Sequence, residues 1–119
     1  MDTKYFILFR NIDYAKTIKN VLYGKICSTE SELFGISPNE NDVFLIDAHF
    51  GGQMSRLNGM NILKKYLSIY RNTRFSVRVY SWFDTEYIAR NHLDKSYILK
   101  LPNVKYMRFP LQFLKSNKL

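Results

Sequence analysis

The stretch "VFLIDAHFGG", residues 43–52, places four apolar residues directly before an aspartate, with a histidine and two glycines close behind. A short continuous apolar run of this kind is typical of a strand that is covered on both faces. "KYFILF" (4–9) has the same character. The sequence therefore predicts two buried strands, and it places Asp47 at the point where the second of them ends.

Helical patterns alternate with these strands. A helix is predicted to start at Asn11 or Asp13 and to end at Gly24, with one apolar face formed by Tyr14, Ile18, Val21 and Leu22. "KICS" (25–28) is a candidate brief strand, and one helical turn is expected before Gly35.

The second half of the chain continues the alternation. "NGMNILKKYLSIYRN" (58–72) predicts a helix capped by Asn58, and "RFSVRVYSW" (74–82) predicts a strand whose wetter face carries Ser76, Arg78 and Tyr80. Asp84 is expected to cap a helix over "DTEYIARNHL" (84–93). "SYILKL" (96–101) and "NVKYMRF" (103–109) are candidate strands, and a short terminal helix is expected around "LQFLKSNK" (111–118).

Strands that alternate with helices on short connections imply βαβ crossovers. We therefore predict one α/β domain over residues 1–119: a small, open, doubly wound and mainly parallel sheet with helices on both faces, of the flavodoxin-like type. Function in such sheets gathers at the carboxyl ends of the strands. Arg10, Asn11, Asp47 and Ser81 should meet at this edge.

Composition narrows the class of protein. The 119 residues suit a single core, and one cysteine, Cys27, excludes an internal disulfide and fits a reducing compartment. The apolar runs are too short to cross a bilayer and the N-terminus lacks a signal-peptide pattern, so we expect a cytoplasmic domain with no membrane partner. The formal net charge of +8 is spread along the chain rather than gathered in a block.

The order of elements resembles the receiver domain of bacterial response regulators. "DVFLID" ending in Asp47, "NGMNILKKYL" and "VRVYS" ending in Ser81 carry the resemblance over residues 4 to about 110. It implies that Asp47 matches the phosphorylated aspartate and that Ser81 matches the hydroxyl that bonds the phosphoryl group.

Two parts of the family's site do not carry over. The family holds Mg²⁺ on an acidic pair after the first strand, where this sequence has Arg10 and Asn11. The family's lysine after the last strand falls on Phe109 if "NVKYM" is that strand, or on Lys100 if "SYILK" is. We prefer the first alignment because Pro110 would otherwise interrupt the final helix.

These departures suggest a pseudo-receiver that needs no cofactor and no Mg²⁺. Phosphoryl transfer to a carboxylate brings two anions together, and a divalent ion normally neutralises that charge. The guanidinium of Arg10 could instead pair with Asp47 and lock the switch residues Asn11, His49 and Ser81 around it. The predicted role is a non-catalytic signalling module that binds other proteins.

The partner surface is expected at the carboxyl-terminal strand and helix. Aromatic and basic residues alternate there in a pattern that suits self-association or a protein partner, and they are Tyr106, Arg108, Phe109 and Phe113. The same mixture could contact a phosphate backbone, so a nucleic-acid-binding module is the alternative.

A divergent enzyme centred on Asp47 is the third reading. Asp47 and His49 could offer two ligands to a metal, but a site usually needs three or four, and a loop histidine making ordinary hydrogen bonds is favoured. Asp47 could also pair with Asp84 as acid and base, although a helix cap explains Asp84 more simply. No serine lies in a recognisable nucleophile elbow, and two histidines favour no catalytic triad.

Overall fold

Five strands among the described residues form one parallel sheet in the order β2-β1-β3-β4-β5. The computed structural model describes residues 3–109. The strands, listed in chain order, are β1 (Tyr5–Leu8), β2 (Lys25–Ile26), β3 (Val43–Asp47), β4 (Ser76–Ser81) and β5 (Val104–Arg108). All four neighbouring pairs are parallel, and the innermost strand, β3, is paired along its full length with β4. This confirms the predicted doubly wound, flavodoxin-like fold class.

Helices connect the strands on both faces of the sheet. They are α1 (Ile12–Leu22), α2 (Glu30–Phe34), α3 (Asn58–Ile69), α4 (Thr85–Asn91) and α5 (Leu93–Ser96). One core, built around the buried faces of α2, α3 and α4, contains Leu33, Met60 and Ile88. The second core lies on the opposite face, where α1 packs Ala15 and Ile18 against the sheet.

The helix starts were predicted with mixed success. Asn11 caps α1 through its side chain and Asp84 caps α4 in the same way, as expected. Asn58 is not a cap: the residue before α3 is Leu57, which is fully buried and has a φ of 51°. The Asn58 amide instead donates to the carbonyl of Phe50, 3.0 Å away, and so fixes the preceding loop.

Two sequence expectations about strands are wrong. "SYILKL" does not form a strand, because α5 runs directly into a 3-10 helix over Tyr97–Lys100. Tyr80 was expected on a wetter face of β4, but it is fully buried in the core that α1 covers. Both faces of the carboxyl-terminal half of β4 are therefore covered. In α1, Val21 turns out to be 47% exposed rather than part of the apolar face.

Helix α3 approaches the end of β3 so closely that only glycine fits at the contact. A Cβ added to Gly59 would lie 1.8 Å from the carbonyl oxygen of Asp47 and 2.9 Å from the carbonyl carbon of Ala48. The Gly59 N–H donates to the carbonyl oxygen of Ala48 at 3.0 Å. This contact fixes the first turn of α3 directly behind Asp47.

Candidate functional site: the carboxyl edge of the sheet around Asp47

The predicted site residues meet at the carboxyl edge of the sheet. Asp47 is the last residue of β3 and Ser81 is the last residue of β4, its neighbour in the sheet. Arg10 and Asn11 lie in the connection from β1 to α1, and His49 lies in the turn that follows Asp47. The parallel register of β1, β3 and β4 brings these segments together.

Both oxygens of the Asp47 carboxylate are held by main-chain N–H groups. The Arg10 N–H donates to Oδ2 at 2.9 Å, and the His49 N–H donates to Oδ1 at 2.8 Å. Asp47 as a whole is 4% exposed. Burial raises the pKa of Asp47 above its usual value, and the hydrogen bonds from His49 and Arg10 oppose that shift only in part.

Arg10 contacts Asp47 through its backbone and not through its guanidinium. Within residues 3–109 the ion pairs join Lys65 to Glu30 and Lys95 to Asp94, and none includes Arg10. The expected guanidinium–carboxylate pair is therefore wrong. The physical reason is the register between β1 and β3, in which Leu8 pairs with Ile46. This register brings the backbone N–H of Arg10 to the Asp47 carboxylate, while the Arg10 side chain lies at the exposed surface.

His49 is buried and has one defined tautomer. Its Nδ1 lies 2.8 Å from the carbonyl oxygen of Met54, which can only accept, so Nδ1 carries the proton. Its Nε2 accepts from the Trp82 N–H at 3.1 Å and lies 3.0 Å from the hydroxyl of Ser81. His49 is 1% exposed, and its ring meets Phe83 edge-on. His49 thus joins the loop after β3 to the end of β4.

The contact between Ser81 and His49 resembles a nucleophile–base pair, but its surroundings do not suit catalysis. The Ser81 side chain is fully buried, and its hydroxyl oxygen also accepts from the Phe83 N–H at 3.0 Å. The Nε2 atom that would take the proton is already occupied by the Trp82 N–H. A substrate would need access to the hydroxyl, and burial denies it that access.

The loop after β4 is held from a second side by β5. The Arg108 guanidinium donates to the carbonyl oxygen of Trp82 at 2.8 Å, and the Tyr106 hydroxyl donates to the carbonyl oxygen of Phe83. Burial raises the pKa of Tyr106, and a hydrogen bond with Ser81 opposes the shift. The backbone of the Ser81–Phe83 segment is therefore fixed by His49 from the loop after β3 and by Tyr106 and Arg108 from β5.

The last strand of the described sheet is formed by "NVKYM" and not by "SYILK". Phe109 directly follows β5, whereas Lys100 lies in the 3-10 helix before that strand. The sequence had suggested that Phe109 forms part of a partner surface, but Phe109 is only 7% exposed and so offers little area to a partner. Its ring packs inside an aromatic cluster instead. Phe113 and the predicted terminal helix lie outside the described residues.

A cleft of about 410 Å³ opens above Asp47. Its apolar side is formed by Tyr14, Met54, Trp82 and Phe109, and its polar side by Arg10, Asn11, Asp47 and His49. Sequence reasoning missed the apolar side. Trp82 directly follows Ser81, and that adjacency was the one sequence signal that could have placed it here.

Residues 3–109 contain no cluster of three or more histidine, cysteine or acidic side chains that could hold a metal ion. None of the helices between residues 3 and 109 has the length and apolar character needed to span a bilayer. Asp84 lies at the start of α4, where its carboxylate accepts from the Tyr87 N–H at 2.8 Å, which is the cap expected of it.

Two solved structures share this architecture. A response regulator from Colwellia psychrerythraea superposes with a TM-score of 0.58 at 12% identity, covering 99% of this chain and 98% of that one. An adenylate cyclase from Rhodopirellula baltica superposes with a TM-score of 0.66, also at 12% identity, covering 99% of this chain and 86% of that one. No protein-family model and no curated protein sequence matches the chain. The likeness defines the fold, which is that of a receiver-like α/β domain.

Proposed function

We propose that this protein is a pseudo-receiver: a signalling module that acts through protein contacts, without catalysis and without Mg²⁺-dependent phosphorylation. The observation that carries the proposal is the hydrogen bonding around Asp47, whose two oxygens both accept main-chain N–H groups. A phosphoacceptor must offer one of these oxygens to the incoming phosphorus. Here Asp47 is almost completely buried, and two main-chain N–H groups hold both of its oxygens in one fixed orientation. This hinders in-line approach of the phosphorus, although each oxygen still has a lone pair that can accept a further hydrogen bond.

The missing acids support the same conclusion. Mg²⁺ in such a site is usually bound by one or two carboxylates together with waters. The connection after β1 offers Arg10 and Asn11 in their place, and the Asn11 carboxamide oxygen is occupied by the N–H groups of Asp13 and Tyr14. Asp47 would be left as a single carboxylate to hold the ion.

The contacts of His49 with the end of β4 also support the proposal. In the family that the sequence resembles, the residue at the position of Ser81 bonds the phosphoryl group. In this protein the Ser81 hydroxyl is bonded to His49, and the Trp82 amide is bonded to the same ring nitrogen. We infer that His49 replaces phosphorylation as the group that positions the loop after β4, so that the module presents one constant surface.

The direct test uses a small phosphodonor. The protein is incubated with acetyl phosphate and Mg²⁺, and intact mass is measured beside a phosphorylatable receiver domain as the positive control. We expect the control to gain one phosphate and this protein to gain none. A stoichiometric gain that disappears in Asp47→Ala would refute the proposal.

The partner that we propose is a second copy of the chain or another protein, bound through β5. This strand lies at the edge of the described sheet and carries exposed Lys105 beside half-buried Tyr106 and Arg108. Sedimentation velocity over a hundredfold range of concentration would detect self-association. Lys105→Glu should weaken it, whereas Lys25→Glu, the same change on the opposite edge strand β2, should not. Equal effects of both changes would contradict a specific role for β5.

A further inference from the structure

The cleft above Asp47 has the dimensions of a small-molecule site. Its volume of about 410 Å³ falls within the range of roughly 300–1,000 Å³ that is usual for ligand pockets. Such pockets are mostly apolar and contain a few polar groups that orient the ligand. This cleft also lies at the carboxyl ends of parallel strands, where ligands of open α/β sheets bind.

One wall of the cleft is a continuous set of aromatic rings. The Tyr14 ring stacks on Phe109 with centroids 5.7 Å apart and an interplanar angle of 11°. The Trp82 ring lies 5.1 Å from Phe109 at 32°. Trp82 is 40% exposed, although an indole gains from being covered. A planar ring placed against Trp82 would extend this set.

The polar side offers two complementary charges at different depths. The Asp47 carboxylate is deep and immobile, and each of its oxygens retains acceptor capacity beyond the single main-chain N–H that it binds. The Arg10 guanidinium is at the exposed rim and has no ion-pair partner among residues 3–109. The cleft therefore suits a ring that carries N–H donors on one edge and an anionic group on the other side.

We propose that the cleft binds a purine nucleoside monophosphate, with the base against Trp82, the base edge at Asp47 and the phosphate at Arg10. Guanine is preferred over adenine, because the guanine edge presents adjacent N–H donors to the carboxylate, whereas the adenine edge places a ring-nitrogen acceptor beside its amino group. The phosphate is bound by the planar, positively charged guanidinium of Arg10, which can donate two hydrogen bonds to it. This site does not depend on the module being a pseudo-receiver.

Trp82 provides the assay, because it is the only tryptophan in the chain and it lines the cleft. Guanosine monophosphate is titrated into the protein while tryptophan fluorescence is followed, and adenosine monophosphate, guanosine and inorganic phosphate are titrated separately. We expect a saturable change with guanosine monophosphate, weaker binding of adenosine monophosphate by about tenfold, and no saturation with phosphate alone.

Two variants and one control test the phosphate contact and the base contact separately. Arg10→Gln should weaken guanosine monophosphate about tenfold while leaving guanosine unchanged, and Arg90→Gln, which removes an exposed charge on α4, should change neither. Asp47→Asn should abolish the preference for guanine over adenine. Calorimetry repeats each titration without relying on fluorescence.

The outcomes that overturn the site are equally specific. Absence of saturable binding by both methods would overturn it, as would equal weakening by Arg10→Gln and Arg90→Gln, which would indicate general charge attraction. Competition by inorganic phosphate at the same concentration as the nucleotide would show an anion site without base recognition, and would also overturn it. None of these results bears on phosphorylation of Asp47, so the proposed function is tested separately.

Discussion

Replacing His49 by alanine tests whether its imidazole holds the loop after β4 in place. The change removes the hydrogen bond from Nδ1 to the carbonyl of Met54 and both contacts at Nε2. It leaves the Trp82 N–H without its acceptor and takes one hydrogen-bond partner from the fully buried Ser81 hydroxyl, which keeps its bond with Tyr106. It also opens a void beside Phe83, whose ring centroid lies 4.9 Å from that of the imidazole.

The magnitude follows from these losses. A buried donor left without its acceptor costs about 1–3 kcal/mol. The unpaired Trp82 N–H, the lost hydrogen bond of Ser81 and the void together give an expected loss of about 2–4 kcal/mol in the free energy of unfolding. Small domains have about 5–15 kcal/mol in total, so the variant should still fold but should unfold at a clearly lower urea concentration.

Urea unfolding followed by circular dichroism measures this loss, with the slope of the transition compared between proteins. His92→Ala is the matched control, because His92 is half-buried and its ring lies 6.2 Å from that of Tyr87, without a side-chain hydrogen bond. We expect the control to lose less than about 1 kcal/mol, as is usual away from buried networks. Equal losses for the two variants would refute the role of His49.

Hydrogen exchange adds a local measurement. The Trp82 amide donates to His49, and the Phe83 amide donates to the hydroxyl that His49 orients. Both amides should exchange faster in His49→Ala than the loss of global stability alone would explain. Unchanged protection of these two amides, after correction for global stability, would show that β5 alone holds the loop.

Three further predictions concern the same edge of the sheet. Gly59→Ala should lower the free energy of unfolding, measured in urea, by about 3 kcal/mol or more. The new Cβ would lie 1.8 Å from the Asp47 carbonyl oxygen, and overpacking against backbone is costly because backbone cannot move aside easily. A loss below about 1 kcal/mol would contradict this prediction. Carbon-13 NMR of the side-chain carboxyl should show the pKa of Asp47 above 3.8, and a midpoint at or below 3.8 would oppose this. Between pH 3.8 and the raised pKa, the folded protein holds a proton that the unfolded chain has lost. The contribution of Asp47 to stability is therefore complete below pH 3.8 and declines as the pH rises through the folded pKa. Asp84→Ala should cost about 1 kcal/mol by thermal or urea unfolding, because the Tyr87 N–H loses its cap, and Asp84→Asn should restore most of the loss.

The sequence predicted the fold well because the fold depends on periodicity and chain order. Continuous apolar runs fixed β1 and β3, and the spacing of apolar residues placed Met60 and Leu63 of α3 in the core. The failure at "SYILKL" has a physical reason: a short apolar run does not distinguish a strand from a buried helical turn. Ile98, in the middle of that run, is fully buried in a 3-10 helix.

The candidate site was predicted in position but not in its contacts. Chain order was enough to bring Asp47 and Ser81 to one edge, since parallel strands end there together. Sequence could not tell that the Arg10 amide, rather than its guanidinium, would bind Asp47, because that depends on the register between β1 and β3. The role of His49 was equally hidden, because its partners lie in a strand and loop distant in the chain.

The order of strands in the sheet also governs how the chain can fold. Tyr5 pairs with Val43, and every strand pairing between residues 3 and 109 is parallel, so each pairing can form only after an intervening crossover has closed. Parallel pairings cannot form through local hairpins, which fold quickly. The chain therefore loses the conformational entropy of closing each crossover before the strand pairing stabilises it. We expect refolding on roughly the millisecond-to-second scale. During synthesis, the amino-terminal strand has no partner for its inner edge until β3 has left the ribosome.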